Sequence, residues 1–125
     1  MIKYNMDEWE GVWIGDDITR REIKLFSSPK SVIKTEDFAV GMTIIEAGKQ
    51  HEIHEHDANC EMIVVYSGEG ILISGGKEYT VSRGDVLGFG YKENHGFINT
   101  GEEPLMLCWI YYPPGVADEK FLISH

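Results

Sequence analysis

The stretch HEIHEHDANCE, residues 51–61, holds three histidines and four carboxylates in eleven positions. It is poorly made for a hydrophobic core and unusually rich for a surface turn. Neutral imidazole is the commonest side-chain metal ligand, and a carboxylate adds charge and hardness. Residues two apart on a strand face the same way, so His54 and His56 are expected to project together. Glu61 lies five residues beyond His56, an odd offset that an unbroken strand would turn away. Asp57-Ala58-Asn59-Cys60 is a turn sequence, however, so Glu61 can open the next strand and face the same interior. Ile63 and Val65 would continue that inward face, with Met62, Val64 and Tyr66 on the other. Two histidines and a carboxylate on facing strands form a three-ligand platform with open positions on the metal.

A fourth ligand should come from farther along the chain. His95 is the best placed, because it follows the turn-rich segment 88–94 and opens an alternating run shared with Phe97 and Asn99. His51 stands three residues from His54, the wrong offset for a shared face. It reads as a rim residue, with a ligand or acid–base role as the lesser reading. His125 is expected to be solvated. Glu52, Glu55 and Asp57 read as solvated strand-edge charges.

Outward from this stretch, short strand-like runs alternate with turns. Candidate strands are 23–25, 38–46, 62–66, 71–73, 77–81, 86–89, 97–98 and 105–112. Gly75-Gly76 suits a tight hairpin between Ile71-Leu72-Ile73 and Lys77–Val81. Pro113-Pro114-Gly115 ends the last strand, since proline cannot donate to a ladder. A helical turn is expected only near Asp118–Leu122, in a tail whose Phe121, Leu122 and Ile123 are apolar enough to dock. The pattern is all-β, a sandwich or barrel.

The whole chain, 125 residues, suits one domain: N-terminal strands over 1–37, a barrel core over 38–112 and a tail over 113–125. A net charge of −10, with no basic run longer than Arg20-Arg21, argues against nucleic acid. The acidic N-terminus lacks the apolar core of a signal peptide, and no apolar run is long enough to span a bilayer. Two cysteines are too few for a disulfide scaffold. Cys60 should point away from Glu61 and pack; Cys108 should be core, or line the cavity if it faces inward. A cytoplasmic setting without membrane attachment is expected. Trp9 and Trp13 are expected to pack outside the sheet, with a subunit interface as the alternative.

These residues resemble the cupin superfamily. Its first motif, G-x5-H-x-H-x4-E-x6-G, is matched at every fixed position by Gly48, His54, His56, Glu61 and Gly68. Its second motif, G-x5-P-x-G-x2-H-x3-N, is matched by Gly84, His95 and Asn99, with Gly90 for the proline and Lys92 for the inner glycine. The resemblance implies a double-stranded β-helix, or jelly roll, with one divalent metal ion (manganese, iron, cobalt, nickel, copper or zinc) held inside by His54, His56, Glu61 and His95. It also implies a homodimer built on a paired or exchanged edge strand, for which the residues before Phe38 are the natural supplier.

Three neutral imidazoles and one glutamate around a divalent ion leave positive charge at the centre. Such a site suits a small oxo acid, sugar acid or diketone whose carbonyl the metal polarises. The acidic surface is no obstacle, since exposed charges are screened beyond about 8 Å at physiological salt. Three functions follow: a non-redox isomerase or lyase with an acid–base partner among Tyr91, Lys92, His51 and Tyr111; a metal-dependent dioxygenase; or a ligand- or metal-binding module without turnover. The fold alone does not choose among them.

Overall fold

A computed structural model describes residues 1–123; His125 lies outside them. Among the described residues, eleven strands form two sheets. They are β1 (Val12–Ile14), β2 (Arg21–Ser28), β3 (Ile33–Lys34), β4 (Ala39–Ile45), β5 (Gln50–His54), β6 (Cys60–Ser67), β7 (Glu69–Ser74), β8 (Lys77–Ser82), β9 (Val86–Phe89), β10 (His95–Asn99) and β11 (Leu105–Tyr112). One sheet has seven strands in the order β1-β2-β4-β11-β6-β9, with β3 on β2; the other has four, β5-β10-β7-β8. The chain crosses repeatedly between sheets, and all neighbours except β2 and β3 run antiparallel. The result is the expected all-β jelly roll.

Alternation sets the interior. On β6, Glu61, Ile63 and Val65 are buried while Met62 and Val64 are half-buried and Tyr66 is exposed. On β11, Leu105, Leu107, Trp109 and Tyr111 turn inward. These residues join Ile23, Leu25, Ile45 and Phe97 in one core, each large side chain contributing about 1.5–3 kcal/mol through burial. The β7–β8 hairpin closes through Gly75 and Gly76 at φ 58° and 75°, the left-handed pair that a two-residue turn requires. Cys60 and Cys108 are free. Cys108 is a correction to the core assignment: it is half-buried on the outer face of β11, between inward Leu107 and Trp109. It does not line the cavity.

The tail docks. After Pro113-Pro114, helix α1 (Ala117–Phe121) returns to the barrel, where Asp118 accepts a hydrogen bond from Ser28. Phe121 is buried with its ring centroid 5.6 Å from that of Trp109. At the other terminus Trp9 packs edge-on against Phe26 at 5.4 Å. Trp13 differs: it is 48% exposed, with the Arg20 guanidinium 4.8 Å from its ring centroid. The residues before Phe38 build β1 to β3 of the chain's own seven-stranded sheet, leaving β1 at its edge. Among the described residues no helix is long and apolar enough to cross a membrane.

Candidate metal centre

Four side chains from both sheets meet at one end of the barrel. His54 ends β5 and is the direct cross-strand partner of His95, the first residue of β10. Glu61 enters from β6 in the opposite sheet, between Tyr111 on β11 and Phe89 on β9. His56 lies beyond the end of β5 rather than on it, so loop geometry, not strand alternation, aims its ring. A turn at Asp57-Ala58 then brings Glu61 round as expected.

The convergence is close. His54 Nε2 and His56 Nε2 are 3.1 Å apart, and Glu61 Oε1 lies 3.0 Å from His56 Nε2 and 3.0 Å from His95 Nε2. Ligand atoms of His54, His56 and His95 all fall within 4.8 Å of one another, a group that could hold a metal ion. Glu61 and His95 are buried.

Electrostatics keeps His54 and Glu61 in ligand form. Burial, then the neighbouring His95 and His56, lowers His54 to about 4, so its ring is neutral. Burial alone would raise Glu61, but hydrogen bonds from His56 and His95 outweigh it and hold the carboxyl below its usual value. Three imidazoles and one carboxylate thus point lone pairs at one place. Three ring nitrogens and one oxygen can share protons there only imperfectly, whereas a single cation satisfies all of them. The donors fit a divalent transition ion. A carbonyl helps: Glu52 O lies 2.7 Å from His51 Nδ1 and 3.3 Å from His54 Nδ1. In the tautomer that carries its proton on Nδ1, His54 donates to this carbonyl and keeps Nε2 free for a metal.

His51 corrects the offset argument. Its ring stacks on His54, with centroids 4.4 Å apart, and lines the same cavity. The cause is a bulge. Between the paired positions His95↔His54 and Phe97↔His51, β5 spends three steps against two on β10, and the extra residue restores a shared face. Gly96 permits it, because a Cβ there would stand 2.9 Å from Ile53 and 3.0 Å from His51 O. Burial, then His54 and Arg21, holds His51 well below its usual value.

Tyr91 and Lys92 are exposed on the β9–β10 loop and are not among the residues that line the cavity. Lys92 has φ 64° and its N–H donates to His56 O at 2.9 Å. That left-handed position explains why the motif favours glycine there, and the bond ties the loop to a site residue.

The cavity, about 330 Å³, is walled largely by Ile23, Ile63, Phe97, Leu107 and Trp109. Polar side chains line it too, Tyr111 and Arg21 among them. Tyr111 was weighed as an acid–base partner; burial and then the Glu61 charge push its hydroxyl well above the usual value, so it stays protonated. Arg21 was missed, having been read only as half of a basic pair. The signal was present: Arg21, Ile23 and Leu25 alternate onto one face, and all three are at most 5% exposed.

Comparison with known proteins agrees with this architecture. Residues 41–111 match the Cupin domain family. An uncharacterized protein of Methanocaldococcus jannaschii is 27% identical over 71 residues, a match covering 57% of this chain and 57% of that protein's length. A predicted oxalate decarboxylase from Thermotoga maritima superposes with a TM-score of 0.78 at 19% identity, covering 90% of this chain and 99% of that one. A provisionally designated sugar phosphate isomerase from Acidithiobacillus ferrooxidans does so with a TM-score of 0.73 at 25% identity, covering 86% of this chain and 70% of that one. The family match covers more than half the chain and includes every residue of the four-donor cluster: this protein belongs to the cupin domain family.

Proposed function

We propose that this cupin binds one divalent metal ion through His54, His56, Glu61 and His95 and acts as a non-redox isomerase or lyase on a small carbonyl compound. The observation that carries the reading is the meeting of three Nε2 atoms and one carboxylate oxygen at a cavity open at one side and walled mainly by apolar surface. A bound ion would supply Lewis acidity toward a substrate oxygen. The chain's own groups supply the rest. Glu61 and the three imidazoles would hold the ion. Trp109, Phe97 and Ile63 exclude water, which strengthens every polar interaction inside. The Tyr111 hydroxyl, protonated at neutral pH, can donate to a substrate oxygen on which negative charge develops. The designation of the Acidithiobacillus protein is in line with the isomerase reading.

Enolisation is the diagnostic step. Metal-loaded protein incubated without oxygen in D2O should exchange the C–H next to the carbonyl of a small oxo acid, sugar acid or diketone, followed by NMR. Oxygen uptake with the same compounds would replace this reading by the dioxygenase one. Metal retention with neither activity across the panel would leave a binding module.

A further inference from the structure

Arg21 begins β2 and is 5% exposed, yet it borders the cavity beside His51 and Tyr111. Nη1 donates to Thr19 O at 2.9 Å and to Glu52 at 2.8 Å, and Nη2 donates to Glu52 at 3.2 Å. That end of the guanidinium is occupied. Nε is buried with no hydrogen-bond partner. A guanidinium carries five N–H donors in a fixed fork, and its Nε side forms a second bidentate edge. A buried donor without a partner costs stability unless something fills it. Glu52, the counter-charge, is itself exposed at the rim, with 52% of its side chain accessible. It can swing outward where Arg21 cannot.

We propose that Arg21 is the anion-recognition residue of this cavity, and that its ligand is a small carboxylic acid rather than a neutral diketone or sugar. The inference rests on the reading of the cavity as a substrate site and narrows its substrate class. The acid's carboxylate is held by the guanidinium edge that Glu52 leaves free, and its other oxygen function faces the histidine cluster. The cavity's modest volume of about 330 Å³ restricts the acid to a compact one. A purely structural alternative is available, in which the Arg21–Glu52 pair only pins β2 to β5 across the two sheets.

Calorimetric titration of the manganese-loaded full chain with pyruvate and with methyl pyruvate separates these. The ester keeps the carbonyl and removes the charge. Wild-type protein should prefer the acid by roughly tenfold or more, the scale of one charge-assisted hydrogen-bonded pair. Arg21→Gln should collapse that preference while leaving metal content unchanged and ester binding nearly so. Glu52→Gln should tighten acid binding by removing the competing negative charge beside the guanidinium. An unchanged acid-to-ester ratio in Arg21→Gln overturns the proposal. So does Glu52→Gln lowering the melting temperature without strengthening acid binding, or a wild-type protein that binds neither compound. The metal reading fails differently: pyruvate binding that depends on Arg21 in a protein that takes up no metal removes the metal and leaves the anion site standing.

Discussion

Strands β5 and β6 flank the same turn and feed the same cluster, yet they obey different rules. β6 is regular where it meets the cluster and the core: Glu61, Ile63 and Val65 alternate inward in register with β9 or β11, and its register shift against β11 comes only past Val65. β5 is bulged, so His51 and His54, three apart, share a face. Period-two reasoning therefore holds on the strand that builds the core and fails on the strand that shapes the site. A bulge re-aims side chains, and functional edges are where bulges gather.

The comparison breaks most severely at Glu61, where the regular strand meets the cluster. Glu61→Ala leaves the His56 and His95 ring N–H groups without their buried acceptor, an expected cost of about 3 kcal/mol for the two, with loss of bound metal. Denaturant unfolding and metal analysis would check both. Val65→Ala, two positions farther along the same face, should cost about 2 kcal/mol by leaving a cavity while metal binding persists. Equal metal loss in the two variants would mean that the core and the site are one unit.

Gly96→Ala attacks the bulge itself. A methyl at 2.9 Å from Ile53 forces β5 away from β10, at a cost of about 1–3 kcal/mol. It should also unstack His51 from His54, visible as a change in the imidazole NMR signals. A variant with wild-type stability and ring shifts would show that the bulge does not depend on this glycine.

Acid probes the same cluster without mutation. In the metal-free protein His54 takes its proton at about 4, against an ordinary 6.5. Between those values the unfolded chain binds more protons, so stability falls as pH drops through the window. Glu61, also lowered, extends the loss below its ordinary 4.5 in the same direction. Melting temperatures should decline from pH 6.5 downward and recover on return. A flat profile would contradict the buried, neutral imidazole.

Much of this was legible in the letters. The hairpin at Gly75-Gly76, the turn that returns Glu61 and the inward face of β6 follow from local chemistry: left-handed glycines, turn-forming side chains and strict alternation. The four-donor cluster was legible from the motif spacing, with His54, Glu61 and His95 at or near strand ends, although His56 reaches it from the loop after β5 rather than by strand alternation. His51 was not, since a bulge depends on the partner strand and on the room beside Gly96. Arg21 was overlooked because its charge was weighed against external partners rather than against the apolar alternation around it. Cys108 was misplaced for want of the neighbouring residues' facing. The Lys92 departure from the motif is local again. At φ 64° a lysine carries strain that glycine does not, so Lys92→Gly should stabilise by about 1 kcal/mol or less. This is the smallest expected effect, measurable as a slight rise in the unfolding midpoint.

The central claim is that His54, His56, Glu61 and His95 hold one divalent ion. Elemental analysis of protein purified from its native host, beside His56→Ala prepared identically, tests it most directly. The account predicts about one divalent ion per wild-type chain and a clear loss of both metal and melting temperature in the variant. Unchanged metal stoichiometry in His56→Ala would contradict it.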